Sequence, residues 1–396
     1  MPTVRSRRRP LTRRLAAPTV GLAVAVLVAA CGSSGSSSGS SASGASASSG
    51  SGSGLSAADK AGLAKAEAFL ANAEKRPTQI TVTGKTSKPI PKNETIDWIS
   101  CGATPECTQE ATIITEADSV LGWKTVVLNN NGTPADEKAD FDQVVRTKPA
   151  AVLYSAIPAS TFASEVPAMK ANGTFIAATS ITDPVGSTTG VDYAISTVAQ
   201  VPPVADAQAA LAADGSGDTG SVLVVNIPDF QILNISVADF KHAMSQDCPT
   251  CSVSQLNVAL ANIGTAPATV ASYLRSHPGI KWVVAETDAL TVGLQAAIKS
   301  AGVSGVSIIG QGATPTNLQY LHSNDQYADV AFDYYEELYA MVNSVVQHVT
   351  GQTVQASTAP PMWVLTQQNA PTTSAAIFPV VPNYKQEYET LWGLSS

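Results

Sequence analysis

The sequence predicts an α/β protein of two lobes, each built on a parallel sheet. From Glu94 onward, short β-branched runs alternate with longer amphipathic ones, the order of strand and helix that parallel sheets require. The short runs are apolar at nearly every position, as in strands covered on both faces. About 340 residues follow a Gly/Ser-rich stretch, enough for two domains. The rhythm breaks between Ser196 and Pro202, where the lobes are expected to join.

The elements follow in order. Residues 57–75 place Leu63, Ala66, Phe69, Leu70 and Ala73 on one stripe, with Lys and Glu elsewhere, which predicts a helix docked on the body. Strands are predicted at 95–100, 125–129, 150–156, 174–180, 221–227, 252–258, 281–287, 306–312 and 328–333. Helices are predicted at 107–122, 136–147, 159–173, 201–215, 237–247, 266–277, 288–302 and 333–349, and YKQEYETLW near the end reads as a final docked helix. Trp98 and Trp282 lie inside predicted strands and are expected in the core. The acid pairs Glu336/Glu337 and Asp136/Glu137 lie on predicted helices, where a solvated face is expected. In open α/β sheets ligands bind beyond the carboxyl ends of the strands, so the informative residues are those just after each strand.

Ahead of this body stands a leader. Arg5, Arg7, Arg8, Arg9, Arg13 and Arg14 precede an apolar stretch from Val20 to Ala30, an export signal with too short an apolar core to span a membrane. The quartet Val28, Ala29, Ala30, Cys31 resembles the bacterial lipobox, in which the cysteine is lipidated and becomes the new N-terminus. An ordinary signal cut near Ala30 would instead leave Cys31 a spare thiol ahead of a structureless tether. Acyl chains on Cys31 would anchor the protein at about 0.8 kcal/mol per buried methylene. Residues 32–54 are almost wholly Gly, Ser and Ala, a flexible tether reaching roughly 25 Å. The pair Arg7, Arg8 faintly resembles a twin-arginine signal, with Pro10 where that pattern prefers an aromatic residue.

Of the 23 basic residues six lie in the leader, which leaves 17 against 31 acidic ones, a formal charge of −14. So acidic a body argues against nucleic acid or an anionic membrane face as partner. Four cysteines remain beyond Cys31, in two local pairs: Cys101 with Cys107, and Cys248 with Cys251. In an exported chain both are expected as structural disulfides. A redox-active CxxC should open a helix, whereas CPTC follows one. A zinc site would need further ligands, and His242, His277, His322 and His348 are scattered. No metal and no cofactor are expected.

GSGDTG (Gly215 to Gly220) matches a dinucleotide pattern but precedes a strand instead of following one, so it cannot cradle phosphate. The GxSxG match at Gly35 to Gly39 lies in the tether. Neither GxxxxGK[ST] nor HExxH occurs, and no histidine stands out as a base beside a nucleophile.

Four stretches carry a family resemblance: ISCGATPEC, VVLNNNGTPADEKADFDQVVRTKPAAVLYSA, ETDALTVGLQAAIKSAG and VAFDYYEE. Over residues 92–366 the chain resembles the ribose-binding, type I periplasmic binding protein family, the extracytoplasmic solute-binding proteins of ABC importers. CGATPEC and CPTC resemble exported actinobacterial members. The resemblance implies two Rossmann-like lobes joined by hinge strands near Ser196, Phe332 and Pro360. It divides the chain into a signal peptide (1–30), a tether (31–56), an N-terminal helix and linker (57–91), a first lobe (92–197 plus 333–360) and a second (198–332 plus 361–396). It implies a non-enzymatic, monomeric protein at the outer face of the cell membrane that hands a small polar, sugar-like ligand to an ABC permease. A ligand-sensing ectodomain, a binder of a non-sugar solute, or an enzyme using Glu106 or Asp288 are the alternatives.

Matched loop by loop, the resemblance places ligand contacts on Ser100, Thr104 and Glu106 after the first strand and on Thr179 and Ser180 after the fourth. In the second lobe it places them on Asn234, Asp288, Gln311 and Phe332, with stacking from Phe332 or Phe230. Several depart from the sugar-binding pattern. Glu106 and Cys107 stand where an aromatic pair is usual, Thr179 and Ser180 where an acid and an arginine are, Asn234 for an arginine, and Phe332 for a glutamine. Asp288 and the run Asp333, Tyr335, Glu336 keep the pattern.

Overall fold

The computed structural model describes residues 55–217, 220–372 and 376–394. Cys31, its leader and most of the tether lie outside them. Helix α1 (Ala57–Ala73) comes first. The first lobe runs β1 (Thr95–Ile99), α2 (Pro105–Leu121), β2 (Lys124–Leu128), α3 (Pro134–Thr147), β3 (Ala151–Ser155), α4 (Val166–Ala171), β4 (Phe175–Thr179) and β5 (Tyr193–Ile195). The second opens with α5 (Pro202–Ser216), β6 (Ser221–Asn226), α6 (Gln231–Asp247), β7 (Ser252–Asn257) and α7 (Ala266–Ser276). It continues through β8 (Trp282–Ala285), α8 (Leu294–Ser300), β9 (Ser307–Gln311), α9 (Pro315–Ser323) and β10 (Ala328–Phe332). Then follow α10 (Tyr334–Val349), β11 (Met362–Thr366) and α11 (Tyr384–Leu391).

The first sheet has the order β2-β1-β3-β4-β5 and is parallel throughout. The second has the order β11-β10-β9-β8-β6-β7 and is parallel except for β11, which pairs antiparallel with β10 from Ala328↔Thr366 to Phe332↔Met362. Central strands β3 and β4 are buried at every position, as their uninterrupted apolar runs require. Trp98 and Trp282 are both buried.

Two predicted helices are broken. In 159–173 only Val166–Ala171 is α-helical, with Pro167 in its first turn, where a proline's missing N–H costs nothing. In 288–302 the helix begins only at Leu294, because Gly293 takes a left-handed conformation (φ 77°) and the Asp288 carboxylate is committed to the backbone of another loop. The short strand β5, the antiparallel β11 and helix α9 are additions to the expected elements.

Of the paired acids only Asp136 reaches solvent, half-buried and accepting from Asn131 Nδ2 at 3.2 Å. Glu336 and Glu337 are fully buried and Glu137 is buried as well. Helix α10 is enclosed on nearly every side, so Glu336 accepts from the Thr81 backbone and hydroxyl and Glu337 accepts from the Thr179 hydroxyl.

Helix α1 packs on the second lobe, where Ala66 and Leu70 join the core around α5 and α6. Gly62 permits the approach, since a Cβ there would stand 2.4 Å from the Asp247 carbonyl oxygen. The next segment crosses to the first lobe, and Ile80, Val82 and Ile90 pack on its core. The C-terminal part, expected as a whole in the second lobe, is divided. Strand β11 lies there, but Tyr384, Tyr388 and Trp392 of the final segment join the first lobe's core around Tyr339 of α10. Among the described residues no helix is long and apolar enough to cross a membrane.

Candidate functional site

The carboxyl ends of both sheets face one cavity. Its volume is about 120 Å³. The first lobe brings Thr104, Glu106 and Glu110 from the start of α2, Ser155 and Ala156 from the end of β3, and Ser180 and Ser196 from the ends of β4 and β5. The crossing segment adds Gln200, Val201 and Val204. The second lobe brings Phe230, Ile232, Leu233 and Ser236 around the start of α6, Glu286 and Thr287 beyond β8, and Gln311 from β9. Phe332 and Tyr334 close the wall at the crossing out of β10, their rings edge to face at 5.3 Å.

Three first-lobe strands turn into the cavity in the same way. Ala156, Ser180 and Ser196, each the residue after β3, β4 and β5, have φ of 57°, 56° and 53°. Left-handed backbone at non-glycine residues costs on the order of 1–2 kcal/mol each and clusters where the fold serves a ligand. At Ser180 and Ser196 this turn puts a hydroxyl-bearing residue on the wall.

The lobes touch across the cavity. Glu106 Oε1 in the first lobe accepts from Thr287 Oγ1 at 3.0 Å and from the Ala289 backbone N–H at 3.1 Å in the second. Thr182 Oγ1 donates to Gln231 Oε1 at 2.9 Å. Leu260 approaches Gly132 so closely that a Cβ on the glycine would stand 2.9 Å from its Cδ2.

Thr104, Glu106, Ser180, Phe230, Gln311 and Phe332 line the cavity; the other four residues matched as contacts lie off it. Ser100 Oγ bonds the Gly102 carbonyl at 3.0 Å and so shapes the loop after β1. Thr179 donates to Glu337. Asn234 is exposed on α6 and accepts from Asn226 Nδ2 at 2.8 Å. Asp288 is fully buried and takes the backbone N–H groups of Gln311 at 3.1 Å and Thr314 at 2.7 Å. Thr104 serves two purposes, since its hydroxyl also caps α2 by accepting from the Cys107 N–H.

Cys101 and Cys107 are joined, with Cα atoms 5.5 Å apart, and form part of the cavity wall. Cys248 and Cys251 are joined between α6 and β7. Ligand atoms of Cys101, Cys107 and Glu110 lie within 4.8 Å of one another, but the two sulfurs are bonded to each other and offer no thiolates, so the grouping does not suit a metal.

Carboxylates dominate the electrostatics. Burial, with the charge of Glu337 next, holds Glu110 well above the usual range; its Oε1 accepts from Ser155 Oγ at 3.3 Å. Burial pushes Glu286 up to about 8, and neither of its oxygens has a hydrogen-bond partner. Glu106 Oε2 and Gln311 Oε1 are likewise buried without partners. Burial raises Tyr334 well above its ordinary value, with Glu106 and Glu110 adding to the shift. Glu110 and Glu286 went unselected in the sequence, although each left a trace: Glu110 follows Glu106 by one helical turn, and Glu286 stands at a strand's carboxyl end.

A family model described as a periplasmic binding protein domain matches residues 107–353. No curated protein matches the chain. Among solved structures, a sugar ABC transporter protein from Yersinia enterocolitica is similar with a TM-score of 0.66 at 15% identity, over 78% of this chain and 98% of that one. An ABC sugar transporter subunit from Rhodobacter sphaeroides is similar at 0.62 and 17%, over 70% and 99%. A solute-binding protein from Agrobacterium vitis with bound allitol gives 0.62 and 17%, over 70% and 97%. At these identities the likeness is one of fold.

Proposed function

The chain belongs to the periplasmic binding protein domain family, and from that membership we propose that it captures a small polar solute between its lobes and presents it to an ABC-type permease. The observation that carries the reading is the cavity itself, walled by strand ends of both lobes and spanned by the bonds from Glu106 to Thr287 and Ala289. A solute touching both walls binds the closed arrangement better than an open one, and that difference in affinity drives closure. The sugar- and polyol-related neighbours support a ligand of that size and polarity. On this reading the protein binds its solute without turning it over.

The test is thermal unfolding of the full chain against sugars, polyols, amino sugars, nucleosides and amino acids. A ligand at 100 times its dissociation constant adds about 2.7 kcal/mol. The stabilisation is expected with one chemical class and is expected to shrink in the double variant Ser180→Ala, Gln311→Ala, which trims both walls. A panel that leaves the unfolding temperature unchanged throughout counts against the reading.

Family membership supports a location outside the cytoplasm. Attachment to the outer face of the membrane through Cys31 is our reading of the sequence, with the protein acting as a monomer. Cys31→Ser is expected to move the protein from the membrane fraction to the medium. A variant that stays in the membrane fraction would show that the anchor is not this cysteine.

A further inference from the structure

We propose that the solute carries a protonated amine, held by Glu286 and Glu106; this rests on the solute-binding reading and names the ligand's chemistry. The cavity wall carries three glutamates, Glu106, Glu110 and Glu286, and, among the described residues, no cationic side chain. Its unpartnered buried polar atoms are both oxygens of Glu286, Oε2 of Glu106 and Oε1 of Gln311, together with the hydroxyls of Ser196 and Ser236. A buried carboxylate without a cation is costly, and a protein normally pairs it or leaves it protonated. Glu286 has no such pairing. It is fully buried, ends β8 on the cavity wall, and makes no hydrogen bond. Ser236 is close enough to temper the upward shift of its titration, yet that hydroxyl has no bond of ordinary geometry either.

An ammonium group answers this arrangement in two ways. It brings three donors and no acceptor, matching the unpartnered carboxyl oxygens, and its charge favours the ionised form of Glu286, whose proton, kept by burial in the ligand-free chain, leaves to solvent as the ammonium takes its place. Phe230 and Phe332 add aromatic surface to the same wall, which favours cations where a ring face is presented. The remaining lining, Ser155, Ser180, Ser196 and Gln200, can bond hydroxyls on the rest of the solute.

The test compares twins that differ by an amine for a hydroxyl: glucosamine with glucose, glucamine with sorbitol, and putrescine with butane-1,4-diol. Each is titrated into the full chain by calorimetry, with thermal unfolding alongside. At least one amine is expected to bind about tenfold or more tighter than its neutral twin, as charge-assisted hydrogen bonds are roughly twice as strong as neutral ones. Glu286→Gln is expected to erase that preference. Neutral twins that bind as tightly as the amines overturn the proposal and leave the solute-binding reading intact. A preference that survives Glu286→Gln, in a variant that folds as the parent does, also overturns the assignment to Glu286. The wild-type comparison stands even if the variant fails to fold. Silence from both series, and from the wider panel above, sinks both the amine and the solute-binding reading.

Discussion

The ligand-free chain is expected to be most stable near pH 4 and to lose at least about 5 kcal/mol by pH 8. The cause is a set of buried carboxyls whose folded pKa values lie above their unfolded ones. Burial raises Glu286 to about 8, Asp118, Glu336 and Glu337 to about 7, and Asp329 and Asp333 to about 6, against ordinary values of 3.8 for Asp and 4.5 for Glu. Between about pH 4 and each raised value the unfolded chain has released a proton that the folded chain keeps. Fewer protons on the unfolded state make stability fall as pH rises. The contribution is whole below the unfolded pKa and lost on passing up to the folded one. Glu286 alone, moved from 4.5 to about 8, accounts for on the order of 5 kcal/mol at about 1.4 kcal/mol per unit. Asp59, Glu165 and Asp325 shift downward and oppose the trend. Urea titrations from pH 4 to 8.5 measure the profile. A curve that is flat or rises over that window would contradict the assigned burial, and Glu286→Gln should flatten the upper part of the slope.

The alternation of strand and helix was legible because a parallel strand covered on both faces must be apolar at consecutive positions, as Ala151–Ser155 and Phe175–Thr179 are. Elements without that pressure were not. Strand β5 is three residues long, too short for any period. Strand β11 is an edge paired only with β10, and PMWVLT follows a loop that gives no βαβ cue. Helix α11 was legible as a helix, with Tyr384 and Tyr388 one turn apart, but its lobe was not. That choice depends on Tyr339, whose ring meets Tyr384, Tyr388 and Trp392, and no local pattern encodes it.

The site divides along the same line. That Ser180 and Gln311 border the ligand space follows from their place at strand ends. Whether a strand-end polar group faces the ligand or ties down a loop depends on backbone conformation and on distant partners. Ser180 turns inward with φ 56°, whereas its neighbour Thr179 is taken by Glu337, far along the chain. Asn234 is taken by Asn226. The buried acids Glu336 and Glu337 were misread because helical charges are usually solvated, and the enclosure of α10 is a tertiary fact.

Asp288→Ala is expected to destabilise the chain by about 3–5 kcal/mol, the range for removing one partner from a buried charged network. The side chain joins three elements. Its oxygens hold the N–H groups of Gln311 and Thr314, while Asp329 holds the Ala313 N–H at 2.9 Å and Gln326 Nε2 at 2.7 Å. Burial, then the charge of Asp329, raises Asp288 well above its ordinary value, while hydrogen bonding with Asp288 tempers the upward shift of Asp329. Gly310 lets the two acids meet, since a Cβ there would lie 2.5 Å from Asp288 Oδ1 and 2.6 Å from Asp329 Oδ2. Alanine at 288 orphans two backbone donors and strips Asp329 of that hydrogen bond. Asparagine keeps a donor toward Asp329 but loses one acceptor, so Asp288→Asn should cost about 1–3 kcal/mol, the cost of one unsatisfied buried group. Gly310→Ala should act in the same direction by forcing the acids apart. Urea midpoints measure all three, and solute affinity separates the two roles open to Asp288. If it only holds the loop that carries Gln311, then a variant folded under stabilising conditions binds more weakly in step with its lost stability. A variant with unchanged stability and abolished binding would make Asp288 a ligand contact and the loop-anchoring role wrong.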